Sequence, residues 1–163
     1  MQNFPKNHFL HKPNRICLNT YFINKGLIRI YYLKNEKEIT DNFSAENEWV
    51  TSIYSFLQNI PDHFHIQTLE ETELISISLD NLETCFKDFP EMERFGRMLI
   101  SKYFLEQSER IISLQFNSAK ERYQFFEQTA KNKLPRVPLG MLASHLGMTQ
   151  ETLSRVRSSS NAF

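Results

Sequence analysis

From Pro90 to Gln115 the chain holds no second proline and a single glycine, Gly96. Proline and glycine interrupt helices more than any other residues, so this stretch is predicted to be one helix of roughly 25 residues. Its apolar residues are Met92, Phe95, Met98, Leu99, Ile100, Tyr103, Phe104, Leu105, Ile111, Ile112 and Leu114, and Met98, Leu105 and Ile112 recur at intervals of seven. That stripe is wider than a surface helix needs for one partner. Such a helix can pack on its own sheet and on a second copy of itself; the competing reading is a long core helix in a monomer. The stretches before and after it read differently.

Before it, residues up to about 78 read mainly as strands. "TYFINKG" ends on a turn glycine, Gly26, and "LIRIYYL" is a β-branched and aromatic run followed by turn chemistry at "KNEKE". "EITDNF" resumes the strand pattern, and "HIQTLEETELISISL" reads as two short strands, with Leu74, Ser76 and Ser78 alternating against Ile75, Ile77 and Leu79. "WVTSIYSFL" suits a short helix, and "LDNLETCF" one or two helical turns. Short strands with turns between them suggest an antiparallel sandwich or barrel.

After it, "NSAKERYQFFEQTA" reads as a further helix, with Ser118 as N-cap and Glu121 three residues on. "KNKLPRVP" is a loop. Leu139, Leu142, Ala143 and Leu146 then make one apolar face of a short helix, with Pro138 at its first turn. Gly147 follows directly, where a left-handed residue costs little only as glycine. Thr149 is a good N-cap for a second helix whose Leu153 and Val156 point inward. Ala143, four residues before Gly147, is where a bulky side chain would clash if the two helices crossed steeply over a short turn. The outward face of the second helix then carries Gln150, Glu151, Ser154, Arg155 and Ser158. Arg can take guanine O6 and N7, Glu can accept from cytosine N4, and Gln can pair with adenine. The basic flanks Lys131, Lys133, Arg136 and Arg157 suit phosphate contacts, which position without specifying.

Charge agrees with this division. Of 163 residues 19 are Lys or Arg and 19 Asp or Glu. Residues 1–115 hold 12 basic and 16 acidic residues, a net of −4, and residues 116–163 hold 7 and 3, a net of +4. A basic end on an acidic body points to a polyanionic partner. No apolar run approaches the length of a membrane span, and the N-terminus "MQNFPKNHFLHKPNR" has no apolar signal core. Two cysteines, Cys17 and Cys85, have neither a disulfide framework nor metal spacing. A reduced, cytoplasmic protein is expected.

"PLGMLASHLGMTQETLSRVR" resembles the helix-turn-helix of the Crp/Fnr superfamily of bacterial transcription regulators. "TYFINKGLIRIYY" resembles the strand-turn-strand of its cyclic-nucleotide-binding-like sensor, and "EMERFGRMLISKYFLEQSERIISLQFNSAKERYQFF" its dimerisation helix and the helix after it. The likeness is nearest to the short regulators of the Bacteroidetes. It implies an α+β chain: a double-stranded β-helix (β-roll) sensor over 1–88, a dimerisation helix over 89–115 and a truncated winged helix-turn-helix over 116–163. It also implies a homodimer on a palindromic DNA operator, with RNA polymerase as a further partner. Gln150, Glu151 and Arg155 fall where the family reads bases, with Ser154 on the same face, and Thr149 where it places a phosphate-contacting hydroxyl.

The chain departs from that pattern in its sensor. Cyclic-nucleotide binders carry a Gly-Glu pair, a short helix, then an Arg and a small hydroxyl residue on the cyclic phosphate. Here the stretch reads "NEW", then "DHFHIQ". Glu48 can stand for the ribose-binding carboxylate, but no arginine lies between Arg29 and Arg94. Without a guanidinium the cyclic phosphate loses its bidentate partner, which argues against cyclic AMP. Two isolated cysteines cannot hold an iron–sulfur cluster. No cofactor is expected and the effector is unknown; Glu48, Trp49, His63 and His65 are the pocket candidates. The N-terminal helix and first strand of such regulators are expected to be missing or shortened, and the wing hairpin to be absent, since only seven residues follow Val156. Two further readings stay open. A β-roll also serves cupin-like metal-dependent enzymes, where His63 and His65 at i and i+2, with Glu70 five residues on, resemble part of the first metal motif. The glycine framing and a second motif with another histidine are missing, and a facial site needs three ligands. The chain could also be a dimeric partner protein that binds no DNA.

Overall fold

The computed structural model describes residues 1–160, without the side chain of Ser160; the end of the 116–163 segment therefore lies outside the described residues. Eight strands form two four-stranded antiparallel sheets. β1 (Gln2–Phe4), β8 (Thr72–Ser78), β3 (Asn19–Lys25) and β6 (Trp49–Val50) make one, and β2 (Phe9–His11), β7 (Phe64–Thr68), β4 (Ile28–Lys34) and β5 (Lys37–Ser44) the other. The first strands are present but short, three residues each. They pair only through long-range partners, β1 with β8 and β2 with β7, so no local alternation betrays them.

Two turns set the register. Gly26 between β3 and β4 has φ +118°, and a Cβ there would lie 2.8 Å from Thr72 Cα; only glycine tolerates both. Asn35 and Glu36 both have positive φ, the primed geometry that suits the strand twist in a two-residue hairpin, and Lys34 pairs with Lys37 across it. Alternation then sends Ile28 and Ile30 of β4, Ile66 of β7, Ile23 of β3 and Leu74 of β8 between the sheets, with Phe56 of α1 (Ile53–Gln58) closing the end. Ile75 takes the outer side of β8.

Ser78 caps α2 (Leu79–Asp88), which is longer than the one or two turns expected from sequence. α3 (Pro90–Phe116) runs unbroken for 27 residues with Pro90 at its start. It touches the sandwich through few polar ties. Tyr103 Oη donates to Trp49 O (2.8 Å) and accepts from Trp49 N (2.9 Å), and Arg110 donates to Thr40 O (3.2 Å). Gly96 is its only buried residue, pressed against the Phe86 ring of α2. Met98, Leu105 and Ile112 remain 55–61% exposed.

α4 (Ala119–Thr129) begins with the full capping box of Ser118 and Glu121. α5 (Leu139–His145) and α6 (Gln150–Ser160) follow. A second apolar layer joins them to the sandwich: Leu27, Phe43, Ala45 and Leu69 pack with Tyr123, Phe126, Leu142, Ala143, Leu146 and Leu153. The outer side of β5 is therefore covered by α5 rather than by water. Among the described residues no helix is long and apolar enough to cross a membrane.

Candidate nucleic-acid interface

The joint between α5 and α6 is built from backbone hydrogen bonds. Met148 N donates to Ala143 O (3.0 Å) and Gly147 N to Ser144 O (3.2 Å), the pair that closes a helix on a left-handed residue. Gly147 supplies it with φ +63°, and a Cβ there would stand 2.9 Å from Leu114 Cδ2 at the end of α3. Thr149 Oγ1 accepts from Thr152 N (3.2 Å), capping α6. Ala143 and Leu153 are buried where the two helices cross.

This anchoring turns one face of α6 outward. Gln150, Glu151, Ser154, Arg155, Arg157 and Ser158 are exposed. Among the described residues no salt bridge involves Arg155. Arg157 reaches the Tyr123 hydroxyl. Thr149 is exposed, with its hydroxyl engaged in the cap.

The other two predicted phosphate ligands stand elsewhere. Lys133 and Arg136 lie in the turns between α4 and α5 and point at the sandwich. Lys133 Nζ donates to Glu48 Oε2 (2.7 Å) and Phe43 O (2.9 Å). Arg136 binds Glu46 through Nη1 and Nη2, both at 2.9 Å, and also binds Glu70. These hydrogen bonds hold the Glu46 carboxyl down to about 2, and the Arg136 guanidinium further above its usual value. Two side chains of α5 complete the junction. Ser144 Oγ accepts from Thr40 N and donates to Glu38 O, both at 2.9 Å, and His145 Nδ1 meets Asp41 O at 3.0 Å. Burial, with Arg110 and Lys133 nearby, pushes the His145 imidazole down to about 3, so the ring is neutral and Nδ1 is the donor.

Sequence reasoning missed Glu46 and Ser144, and it missed the junction partners of Glu70 and His145. Arg136 lies 90 residues from Glu46 and 66 from Glu70; no local pattern links positions so far apart.

The candidate pocket residues are dispersed. Glu48 is taken by Ala45 N and Lys133. Trp49 packs on Phe22. His65 lies flat on Tyr31 at 4.5 Å, whereas His63 stands edge-on to Tyr32, the next residue of β4. The two imidazoles thus associate with neighbouring strand residues that point to opposite faces. Among the described residues no three His, Cys, Asp or Glu side chains converge on a metal position. Arg29 is buried on the outer side of β4, bonded to Thr40 Oγ1 (2.9 Å) and Glu38. Asp62, which opens "DHFHIQ", is a buried carboxylate held by His11 Nε2 (2.9 Å), Phe64 N (3.0 Å) and the Ser52 hydroxyl.

The sequence model of the cyclic nucleotide-binding domain matches residues 1–89, more than half of the chain. The chain belongs to the cyclic nucleotide-binding domain family. Its fold, helices included, is that of Crp/Fnr-type regulators. FixK2 from Bradyrhizobium japonicum superposes with a TM-score of 0.83 at 14% identity, over 98% of this chain and 83% of that one. A CooA mutant from Carboxydothermus hydrogenoformans gives 0.79 at 19%, over 98% and 75%. A putative transcriptional regulator of the Crp/Fnr family from Eubacterium rectale gives 0.73 at 20%, over 98% and 77%. Among curated proteins no relative matches.

Proposed function

We propose that this chain is a DNA-binding transcription regulator of the Crp/Fnr type. In this reading residues 1–88 are a sensor, 89–115 a dimerisation helix and 116–163 a truncated winged helix-turn-helix, and the protein works in the cytoplasm. One observation carries the reading: α6 is anchored by Leu153 at a glycine turn and presents Gln150, Glu151, Ser154 and Arg155 to solvent together. Those are side chains whose donors and acceptors match base edges in the major groove. A binding titration against an operator selected from random duplexes, with scrambled DNA as the control, tests it. Binding with no preference for the selected sequence, or no binding, overturns it.

The exposed stripe of Met98, Leu105 and Ile112 supports a homodimer through α3, because apolar patches of several hundred Å² usually mark an interface. A two-fold pair of α6 helices roughly 34 Å apart suits a palindromic site. Sedimentation at micromolar concentration should show twice the 19.4 kDa chain mass; a monomer alone would refute the dimer.

The effector is not cyclic AMP in this reading. No arginine lies between Arg29 and Arg94, Asp62 stands as a carboxylate in the stretch where a cyclic phosphate would need a cation, and Arg29 is committed to the outer side of its sheet. Calorimetry should find no binding at micromolar nucleotide.

A further inference from the structure

Arg136 has no donor left over. Its Nε donates to Glu70 Oε2 (3.3 Å), Nη1 to Glu46 Oε2 (2.9 Å) and Asn132 O (3.5 Å), and Nη2 to Glu46 Oε1 (2.9 Å) and Glu70 Oε1. A guanidinium carries five N–H groups, and five acceptors surround this one. Lys133 Nζ directs two of its three N–H groups to Glu48 and Phe43 O. The acids all belong to the sandwich and the cations to the segment that leads into α5 and α6.

We infer that Lys133 and Arg136 have two alternative polyanionic partners, the carboxylates of Glu46, Glu48 and Glu70 in the arrangement seen here and the phosphates of DNA in the bound state, so that the sandwich restrains DNA binding by competing for the same cations. The inference rests on the DNA-binding reading above and adds its regulation. The sandwich leaves the outward face of α6 open, so it does not block contacts to bases. What it withholds is charge. Two parallel N–H···O bonds from one guanidinium serve a carboxylate and a phosphate equally well, so Glu46 occupies Arg136 in the manner a phosphate would. The Glu46–Arg136 pair is charged at every physiological pH, because the guanidinium holds the Glu46 carboxyl down to about 2. It is also reversible. The paired side chains keep 14–37% of their surface exposed, and ion pairs open to water are weak one by one. A duplex with one charge per roughly 1.7 Å of axis can displace them.

The test uses the full chain with Glu46→Gln and Glu70→Gln together, which remove charge and keep volume. Titration with the selected operator and with scrambled DNA at two salt concentrations should show tighter binding to both, by about threefold to tenfold. The salt slope should steepen by about one. Adding Arg136→Gln should abolish the gain. Without DNA, hydrogen exchange at the Thr40 amide, bonded to Ser144 Oγ across the same junction, should accelerate in the double variant. Glu48→Gln, which frees Lys133 alone, should give a smaller gain of the same sign, and it carries the test if the double variant does not fold. Variants that bind both duplexes no more tightly than the wild type overturn the competition and leave the regulator reading standing. A wild type that binds no duplex at all overturns the regulator reading itself.

Discussion

Lys133 and Arg136 carry the same charge as Arg155 and Arg157, and residue type alone assigns all four to one polyanion. The structure separates them. The first pair faces three carboxylates brought from strand ends and turns of the sandwich; the second stands on α6, with solvent in front of Arg155. A cation's partner is decided by what the fold places opposite it. In a chain with net charge zero, acids of one part can occupy the cations of another.

The contrast can be broken most severely at its anchor. Leu153 is fully buried where α6 packs on α4 and α5, so Leu153→Ala should destabilise the chain by about 2–5 kcal/mol. Urea denaturation would measure this, and a loss under 1 kcal/mol would mean that α6 is not held as described.

Arg155→Ala should then cost about 1–3 kcal/mol per half-site and relax preference at one base position, whereas Lys133→Ala, made in the Glu48→Gln background that frees this cation, should weaken all sequences about equally and lower the salt slope by about one. Equal losses on operator and scrambled DNA for Arg155→Ala would reduce that residue to a phosphate contact.

The junction should also respond to acid. His145 titrates near 3 in the folded chain against 6.5 as an ordinary histidine. The unfolded chain therefore binds the extra proton between those values, and stability falls as pH drops from about 6.5 toward 3. The slope from one such group reaches about 1.4 kcal/mol per pH unit. Below pH 4.5 Glu46, with its depressed value, adds loss in the same direction. Denaturation curves at pH 7 and pH 5 should differ for the wild type and converge in His145→Asn; an unchanged gap would acquit His145.

The smallest effect is expected at the cap. Thr149→Ala removes the acceptor of Thr152 N and should cost about 1 kcal/mol of stability. A further loss of DNA affinity with a reduced salt slope would show that the Thr149 hydroxyl also meets a phosphate.

Much of this architecture was legible along the chain because its causes are local. The unbroken run after Pro90, the capping box of Ser118 and Glu121, and the Ala143–Gly147–Thr149 joint each lie within one helix or turn, where propensity, capping and left-handed geometry act over a few residues. The outward face of α6 followed from the inward positions of Leu153 and Val156 by helical period alone. What only the tertiary structure decided are the partners of charged and polar groups across long stretches of chain: Arg136 with Glu46 and Glu70, Ser144 with Thr40, Asp62 with His11, and the pairing of β1 and β2. Side-chain period tells which way a residue faces on its own element. It does not tell which element lies across from it, because that depends on how sheets and helices pack, and packing is set by the sum of many weak contacts rather than by any one motif.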